Sequence, residues 1–198
     1  MAEPTTFSAE SSAALTREFA VVEDTRTKLV ERLNLLLKIS LGVFGGGVYG
    51  YNVGVGASID SIGDEFEFSS EQLEVISASA TLSDAFTMML CGLFLVNKIG
   101  SSRLLFIGSV LSAFGGLLLY KVSLFTSLVA ARVIQGCGNG IVFLCTPMLL
   151  AEIIAAEKRG LVVSSFQTGA TLGFAFPFLI QIIWKDWRVT ALFGSLPG

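Results

Sequence analysis

The chain has 198 residues, of which 53% are hydrophobic and 15% are charged, and its mean hydropathy is +0.73. A soluble domain carries about 25% charged residues, and because no polar interval between the apolar runs exceeds about fifteen residues, a large soluble domain among these runs is excluded. The net charge of −3 excludes nothing further, because charge in a membrane protein is informative through its location.

A polar leader, residues 1–38, is rich in Ser, Thr, Ala and Glu. The first apolar run begins near residue 39 and is longer than the apolar part of a signal peptide, so we do not expect cleavage. We predict a cytoplasmic N-terminal tail that is mostly disordered, with any helix after Asp24. An amphipathic helix at the membrane interface is the alternative.

Five apolar runs follow the leader, and a sixth is short. A helix needs about 20 apolar residues to cross ~30 Å of hydrocarbon. The five runs are 39–59, 75–96, 104–120, 124–150 and 160–184. Run 189–198 would reach about half of the core at 1.5 Å per residue. We predict an all-α membrane protein in contact with lipid, consisting of an N-terminal bundle, 39–198, that ends inside its sixth helix.

Two of these runs are rich in glycine. The first has Gly42, Gly46, Gly50 and Gly54, one every four residues, which keeps one face nearly free of side chains and favours close helix packing. The fourth has its own cluster, Gly136, Gly138 and Gly140. Helices one and four would be equivalent in a 3+3 repeat. Packing without a repeat explains the glycines equally well.

Lys and Arg residues are unevenly distributed around the predicted helix ends. A cytoplasmic N-terminus places eight on the inside: Arg26, Lys28, Arg32, Lys38, Lys98, Arg103, Lys158 and Arg159. Three fall outside: Lys121, Lys185 and Arg188. The interval 60–74, with six acids and no Lys or Arg, would also lie outside. This asymmetry favours a cytoplasmic N-terminus.

Asp84 and Arg132 are charged residues within predicted membrane helices, where each costs about 2.5–3.5 kcal/mol. Both lie roughly 12–15 Å below the same membrane surface, so they could neutralise each other. The pair either holds two helices together or supplies a proton-sensitive or substrate-facing charge.

Several amides and aromatic rings lie at mid-depth. Three residues are the candidates for contact with an uncharged polyhydroxylated ligand: Gln167, Asn52 and Tyr49. Further amides and a further ring lie at similar depth in the apolar runs: Gln135, Asn139 and Tyr51. Amides both donate and accept hydrogen bonds, and ring faces cover the apolar surface of a sugar. Interhelical hydrogen bonding is the alternative role.

No pattern for catalysis is present in the sequence. The chain has no His, and its three Cys are scattered through apolar runs. A G-x-G-x-x-G match at 45–50 lies inside a predicted membrane helix, whereas dinucleotide binding needs a strand-to-helix turn. We therefore expect no metal site, no cofactor and no enzyme activity.

The ordered motifs together resemble the sugar porters of the major facilitator superfamily, especially the facilitative glucose transporters, over about residues 50–198. The first helix carries Y-G-Y-N-V-G-V at 49–55. In the fourth run, Arg132 precedes the glycines at 136, 138 and 140, and the pattern P-x-x-x-x-E-x-x-x-x-x-x-R-G follows with Pro147, Glu152, Arg159 and Gly160. The last matches are Gln167 with Gly169 and Gly173, and then Trp187-Arg188.

The resemblance implies roles for individual residues. Gln167 corresponds to the family's sugar-binding glutamine, but Ala170 and Phe174 replace the aliphatic side chains that follow it. Asn52 stands where proton-coupled porters carry Asp, and an amide cannot carry a titrating proton.

A cytoplasmic gating network of Glu152, Arg159, Lys98 and Arg103 is also implied. It is weaker than in the family, because Ser101 and Ser102 replace cations there.

We therefore expect the N-terminal half of a hexose transporter in the plasma membrane, working by alternating access with a second six-helix bundle. Asn52 favours facilitated transport. The alternatives are a proton-coupled symporter for a sugar, a polyol or another small solute, and a non-transporting sensor or regulatory protein.

Overall fold

The computed structural model describes residues 6–122, 124–184 and 186–195, with side chains from residue 23 onward except those of 57, 194 and 195. The predicted outer cation Lys185 and the last predicted residues of the sixth helix, 196–198, lie outside this part of the chain. The helices are α1 Thr6–Gly54, α2 Ile59–Phe66, α3 Ser70–Leu90, α4 Val96–Ile99, α5 Ser101–Lys121, α6 Phe125–Glu152, α7 Arg159–Trp184 and α8 Trp187–Ser195.

Short irregular turns connect some of these helices. Val55–Ser58 is a 3₁₀ turn between α1 and α2, and Ala156–Lys158 is another before α7. Cys91–Leu95 is a π-helical turn that joins α3 to α4. The described residues therefore form the all-α fold that the sequence predicts.

Two compact units divide the chain, Met1–Lys38 and Ile39–Gly198. The prediction of a mostly disordered leader is wrong for the described part of the first unit, which is helical from Thr6. Residues 6–38 contain no Gly or Pro and are rich in Ala, Leu and Glu, residues that favour helix. The side chains of residues 23–38 are mainly exposed, and Lys28 pairs with Asp24 one turn earlier at 2.6 Å.

Within the described residues, five helical stretches are long and apolar enough to cross a membrane: Glu23–Phe66, Ser70–Ile99, Ser101–Lys121, Phe125–Glu152 and Ala156–Trp184. Large apolar side chains such as Leu82, Phe106 and Ile182 are 69%, 71% and 72% exposed. An apolar outer surface of this kind is stable in hydrocarbon and not in water.

Much of the acidic interval 60–74 is helical, because α2 continues to Phe66 and α3 begins at Ser70. Ile62 of α2 is fully buried. The second apolar helix begins at Ser70 rather than at the predicted residue 75, since Ser69 and Gln72 form a reciprocal capping box at 3.4 and 3.0 Å.

The glycine face of α1 packs against α7. A Cβ added to Gly46 would lie 1.9 Å from the Phe166 carbonyl oxygen, and one added to Gly50 would lie 1.9 Å from that of Ala170. The fit is reciprocal, because a Cβ at Gly173 would lie 2.1 Å from the Gly47 carbonyl oxygen. Only glycine allows two backbones to approach this closely.

The α6 glycines contact two other helices. A Cβ at Gly136 would lie 2.2 Å from the Ala80 carbonyl oxygen on α3, and one at Gly140 would lie 2.4 Å from that of Asp84. A Cβ at Gly138 would instead lie 2.3 Å from the Ser112 nitrogen on α5. The first apolar helix thus packs on the fifth, and the fourth packs on the second, which is the equivalence that a 3+3 repeat requires.

Two apolar clusters lie at opposite ends of α6. One includes Leu128 at its start, with Leu119 of α5 and Trp187 of α8. The other includes Cys145 near its end, with Cys91 and Leu104. Between these clusters, the middle of α6 contributes polar side chains to the interior.

Candidate substrate-facing and charged sites within the bundle

A buried polar network joins α1, α5 and α6. The Asn52 amide nitrogen donates to Ser112 Oγ at 3.0 Å and to Asn139 Oδ1 at 3.2 Å, and Ser112 donates to Asn139 Oδ1 at 2.8 Å. Gln135 donates to Asn52 Oδ1 at 3.0 Å. Asn52 is 2% exposed and its amide bonds to side chains of α5 and α6, so it links these helices to α1 in this structure.

Arg132 extends this network. Its Nη1 donates to Gln135 Oε1 at 3.1 Å, but its buried Nε has no hydrogen-bond partner among the described residues. The side chain is 2% exposed. A buried cation without a carboxylate partner is costly, and Arg132 is such a cation among the described residues.

The predicted neutralisation of Asp84 by Arg132 does not occur as a direct ion pair. Among the described residues, Arg132 and Asp84 form no ion pair with each other, whereas Arg188 pairs with Glu65. Asp84 and Arg132 instead line one cavity of about 60 Å³ between α1, α3 and α6, together with Ser77, Thr81 and Asn139. The two charges share a polar space without touching.

Tyr49 lies where four apolar helices meet. Its hydroxyl donates to Asp84 Oδ2 of α3 at 3.3 Å. Its ring centroid is 4.7 Å from that of Phe143 on α6 and 6.2 Å from that of Phe166 on α7. Tyr49 and Phe143 are both partly exposed, so part of the ring surface of this aromatic cluster is accessible.

Gln167 is exposed on α7. The structure gives its side chain no hydrogen bond among the described residues, while its carbonyl accepts from Thr171. Ser164, Thr168 and Thr171 are exposed on the same helix and bond to its own carbonyl groups. Together with Gln167 they form a polar stripe, in which Gln167 keeps a free amide.

The residues after Gln167 differ in their surroundings. Ala170 is buried against Gly50 of α1, whereas Phe174 is exposed. An alanine at 170 therefore serves the close contact of α7 with α1, and Phe174 presents a ring on the exposed surface.

The predicted contact of Glu152 with Arg159 is not formed in this structure. Glu152 accepts a hydrogen bond of 3.0 Å from the hydroxyl of Ser101. Lys98, Arg103 and Arg159 are exposed, and none of them pairs with an acid in the described part of the chain. Ser101 thus bonds Glu152 where a cation was expected to pair with it.

A contact between α2 and α8 was not predicted from the sequence. Arg188 pairs with Glu65 at 2.6 Å, and the Trp187 indole donates to the same carboxylate at 2.6 Å. The Arg188 guanidinium also lies 4.6 Å from the Trp187 ring centre. Trp187-Arg188 was visible as a motif, but nothing in the sequence selects Glu65 from the six acids of its interval.

Relatives of the chain include membrane transporters. The chain is 23% identical over 170 residues to the zebrafish (Danio rerio) protein called solute carrier family 2, facilitated glucose transporter member 10, covering 83% of this chain and 33% of the relative. It is 28% identical over 181 residues to the arabinose-proton symporter of Escherichia coli K12, covering 89% of this chain and 37% of that one. The chain thus spans about a third of the length of these relatives.

A solved structure shares the fold. The inward open conformation of the xylose transporter XylE from E. coli aligns with a TM-score of 0.73 at 22% identity, over 82% of this chain and 45% of that one. Residues 39–197 match the Major Facilitator Superfamily. This match covers the whole described bundle, and the chain belongs to the Major Facilitator Superfamily.

Proposed function

We propose that the chain is the N-terminal half of a hexose transporter that works by alternating access. Relatives named for glucose, arabinose and galactose transport support a sugar substrate. The free amide of Gln167 on the polar stripe of α7 is the observation that carries this proposal. A glutamine side chain can donate to one sugar hydroxyl and accept from another.

In this scheme the described bundle supplies one wall of the pathway. Gln167 would bind hydroxyl groups, and the Tyr49–Phe143 surface would cover the apolar face of a sugar ring. A second six-helix bundle would supply the opposite wall, and the two bundles would rock around a site near the membrane midplane. Lipid would cover the exposed apolar side chains.

Facilitated transport is the mode that the first helix supports. The position at which proton-coupled relatives of the family carry Asp is here Asn52, a neutral amide engaged in the buried network. Sugar would then equilibrate across the membrane down its own gradient. Proton coupling is the second candidate, because Asp84 is an acid inside the bundle.

We also propose a cytoplasmic N-terminus and residence in the plasma membrane. The cation asymmetry of the sequence supports the orientation. With this orientation, the Ser101–Glu152 bond lies on the cytoplasmic side and the Glu65–Arg188 pair lies outside. Glu152, Arg159, Lys98 and Arg103 remain candidates for gating in another state of the cycle.

Uptake by the full-length protein in lipid vesicles tests the function. We expect labelled glucose to equilibrate with saturable kinetics and to be competed by other hexoses, while an amino acid of similar size is excluded. Vesicles that carry folded protein yet move no hexose would contradict the proposal. Accumulation of sugar driven only by a proton gradient would instead establish the second candidate.

A further inference from the structure

The last part of the polar leader, residues 23–38, has an apolar face on its helix. Leu29, Val30, Leu33 and Leu37 follow one another at steps of one, three and four residues, which places them within an arc of about 100°. Their exposed fractions lie between 48% and 66%, and they belong to neither apolar cluster of the described residues. An apolar face of this length is stable when another apolar surface covers it. We call these four residues the leader face.

The other side of the same helix is charged. Its exposed members follow one another at steps of four, three and one residues: Asp24, Lys28, Glu31 and Arg32. They occupy a second arc, whose centre lies about 160° from that of the leader face. Leu35 is an apolar residue on this side, and it is partly buried. This part of α1 is therefore an amphipathic helix with well-separated faces.

Cations are concentrated next to the first apolar run. Residues 26–38 contain four Lys or Arg and one acid. Helix α1 continues from this stretch into the first run without interruption, so Leu29 lies within roughly 15 Å of residue 39 along the helix at 1.5 Å per residue. A basic stretch this close to a membrane is attracted to anionic lipid headgroups. The charge of the stretch therefore complements the lipid surface that the chain enters beside it.

A second copy of the chain is a poorer partner for the leader face than lipid. In a coiled coil, Leu29 and Leu33 would occupy the seam between the helices. Val30 and Leu37 would then fall beside the seam, at positions where charged side chains normally pair the helices. Arg26, seven residues before Leu33, would fall in the seam itself, where a cation lowers stability. A lipid surface can instead cover the whole leader face, while the long Arg26 side chain extends to the headgroups.

We propose that residues 23–38 bind the membrane surface beside the first membrane helix, with the leader face among lipid acyl chains and the cations at anionic headgroups. A helix of this kind buries its apolar side about 5–10 Å into the boundary between headgroups and acyl chains. It serves as an anchor on the N-terminal side of the bundle and is separate from any transport pathway. The headgroup contact weakens as salt rises, because exposed charges are screened over about 10 Å at 0.1 M.

Spin labels on the full-length protein test this contact, in vesicles of phosphatidylcholine mixed with phosphatidylserine and with the native Cys replaced. Leu33→Cys lies on the leader face, and Glu31→Cys is its matched control on the charged side, two residues away. Oxygen dissolves in lipid, whereas a nickel chelate stays in water. We expect the ratio of oxygen to nickel collisions to be several-fold higher at position 33 than at position 31. Leu29→Cys should resemble Leu33→Cys, because the leader face includes both.

Two results would overturn the proposal. High nickel collision rates at both positions would show that the helix stays in water. Low rates for both reagents at position 33 would show that protein covers the leader face, with spin–spin broadening where that protein is a second copy. In phosphatidylcholine alone the ratio at position 33 should fall, and an unchanged ratio would contradict the contact of the cations with anionic headgroups. The labels are read without sugar, so the result is independent of the proposed hexose transport.

Discussion

The hydroxyl of Ser101 at the start of α5 donates a hydrogen bond of 3.0 Å to Glu152 at the end of α6. Ser101 is 6% exposed, so this bond lies at a packed junction. In the family that the sequence resembles, Ser101 and Ser102 are replaced by cations, so we expected a cation beside Glu152. A neutral donor binds the carboxylate instead, and Arg159 is exposed and pairs with no acid in the described part of the chain.

Ser101→Ala and Glu152→Ala should therefore have overlapping effects. Each should lower stability, and a double-mutant cycle should give a coupling free energy of about 0.5–1.5 kcal/mol. The measurement is thermal unfolding of the full-length protein in detergent, with cysteine labelling to follow inward and outward accessibility. Ser102→Ala is the matched control, since Ser102 is exposed. Additive effects of the two variants would contradict an energetic contact.

Gly50→Ala should destabilise the contact of α1 with α7. Its Cβ would lie 1.9 Å from the Ala170 carbonyl oxygen, and backbone cannot move aside as a flexible side chain can. We expect a loss of about 1–3 kcal/mol from overpacking, although alanine favours an isolated helix by about 1 kcal/mol.

Gly160→Ala is the control for this substitution, because a Cβ at Gly160 meets nothing within 4 Å. Both variants replace a helical glycine by alanine, so their difference reports the helix contact. Equal unfolding temperatures for the two proteins would mean that α1 and α7 do not pack as described.

Hydrophobic run length predicts the number of membrane helices well, because each helix must cover the same hydrocarbon thickness. It does not predict their ends. The capping box at Ser69 and Gln72 sets the start of α3, and residues 6–38, which contain no Gly or Pro, continue α1 back to Thr6. These local hydrogen bonds and propensities act outside the apolar runs.

The glycine spacing predicts a bare face on α1 but not which helix covers it. Once α7 is known to cover Gly50, the role of Asn52 follows, since two residues turn a helix by about 200°. Asn52 must then point away from α7, toward α5 and α6, where Ser112 and Asn139 bind it. Sequence alone cannot distinguish this from a ligand-facing amide, because both patterns place polar residues in an apolar helix.

Labelling of single cysteines should establish the orientation of the bundle. Asp64 and Ser102 are suitable positions, because both are exposed and they lie at opposite ends of the bundle. In a protein whose native Cys are replaced, we expect an impermeant reagent on intact cells to label Asp64→Cys. Ser102→Cys should react only after the membrane is opened. Labelling of Ser102→Cys in intact cells would place the N-terminus outside.

Gln167→Ala should weaken hexose binding while leaving the fold intact. The side chain is exposed and makes no hydrogen bond in the described part of the chain, so its removal costs the bundle no contact. Loss of one well-placed neutral hydrogen bond costs about 0.5–1.5 kcal/mol, which is roughly two- to thirteen-fold in affinity. Equilibrium binding or the concentration dependence of hexose uptake by the full-length protein measures this change.

Thr168→Ala provides the comparison for Gln167→Ala. Thr168 is the exposed neighbour in the same polar stripe, but its hydroxyl already donates to the Ser164 carbonyl at 3.2 Å. It therefore has less capacity for a ligand, and hexose affinity should stay near that of the parent. Binding that is unchanged in Gln167→Ala, or weakened equally in both variants, would remove Gln167 from the sugar site. A selective loss in Gln167→Ala would instead place the free amide of α7 in contact with the substrate.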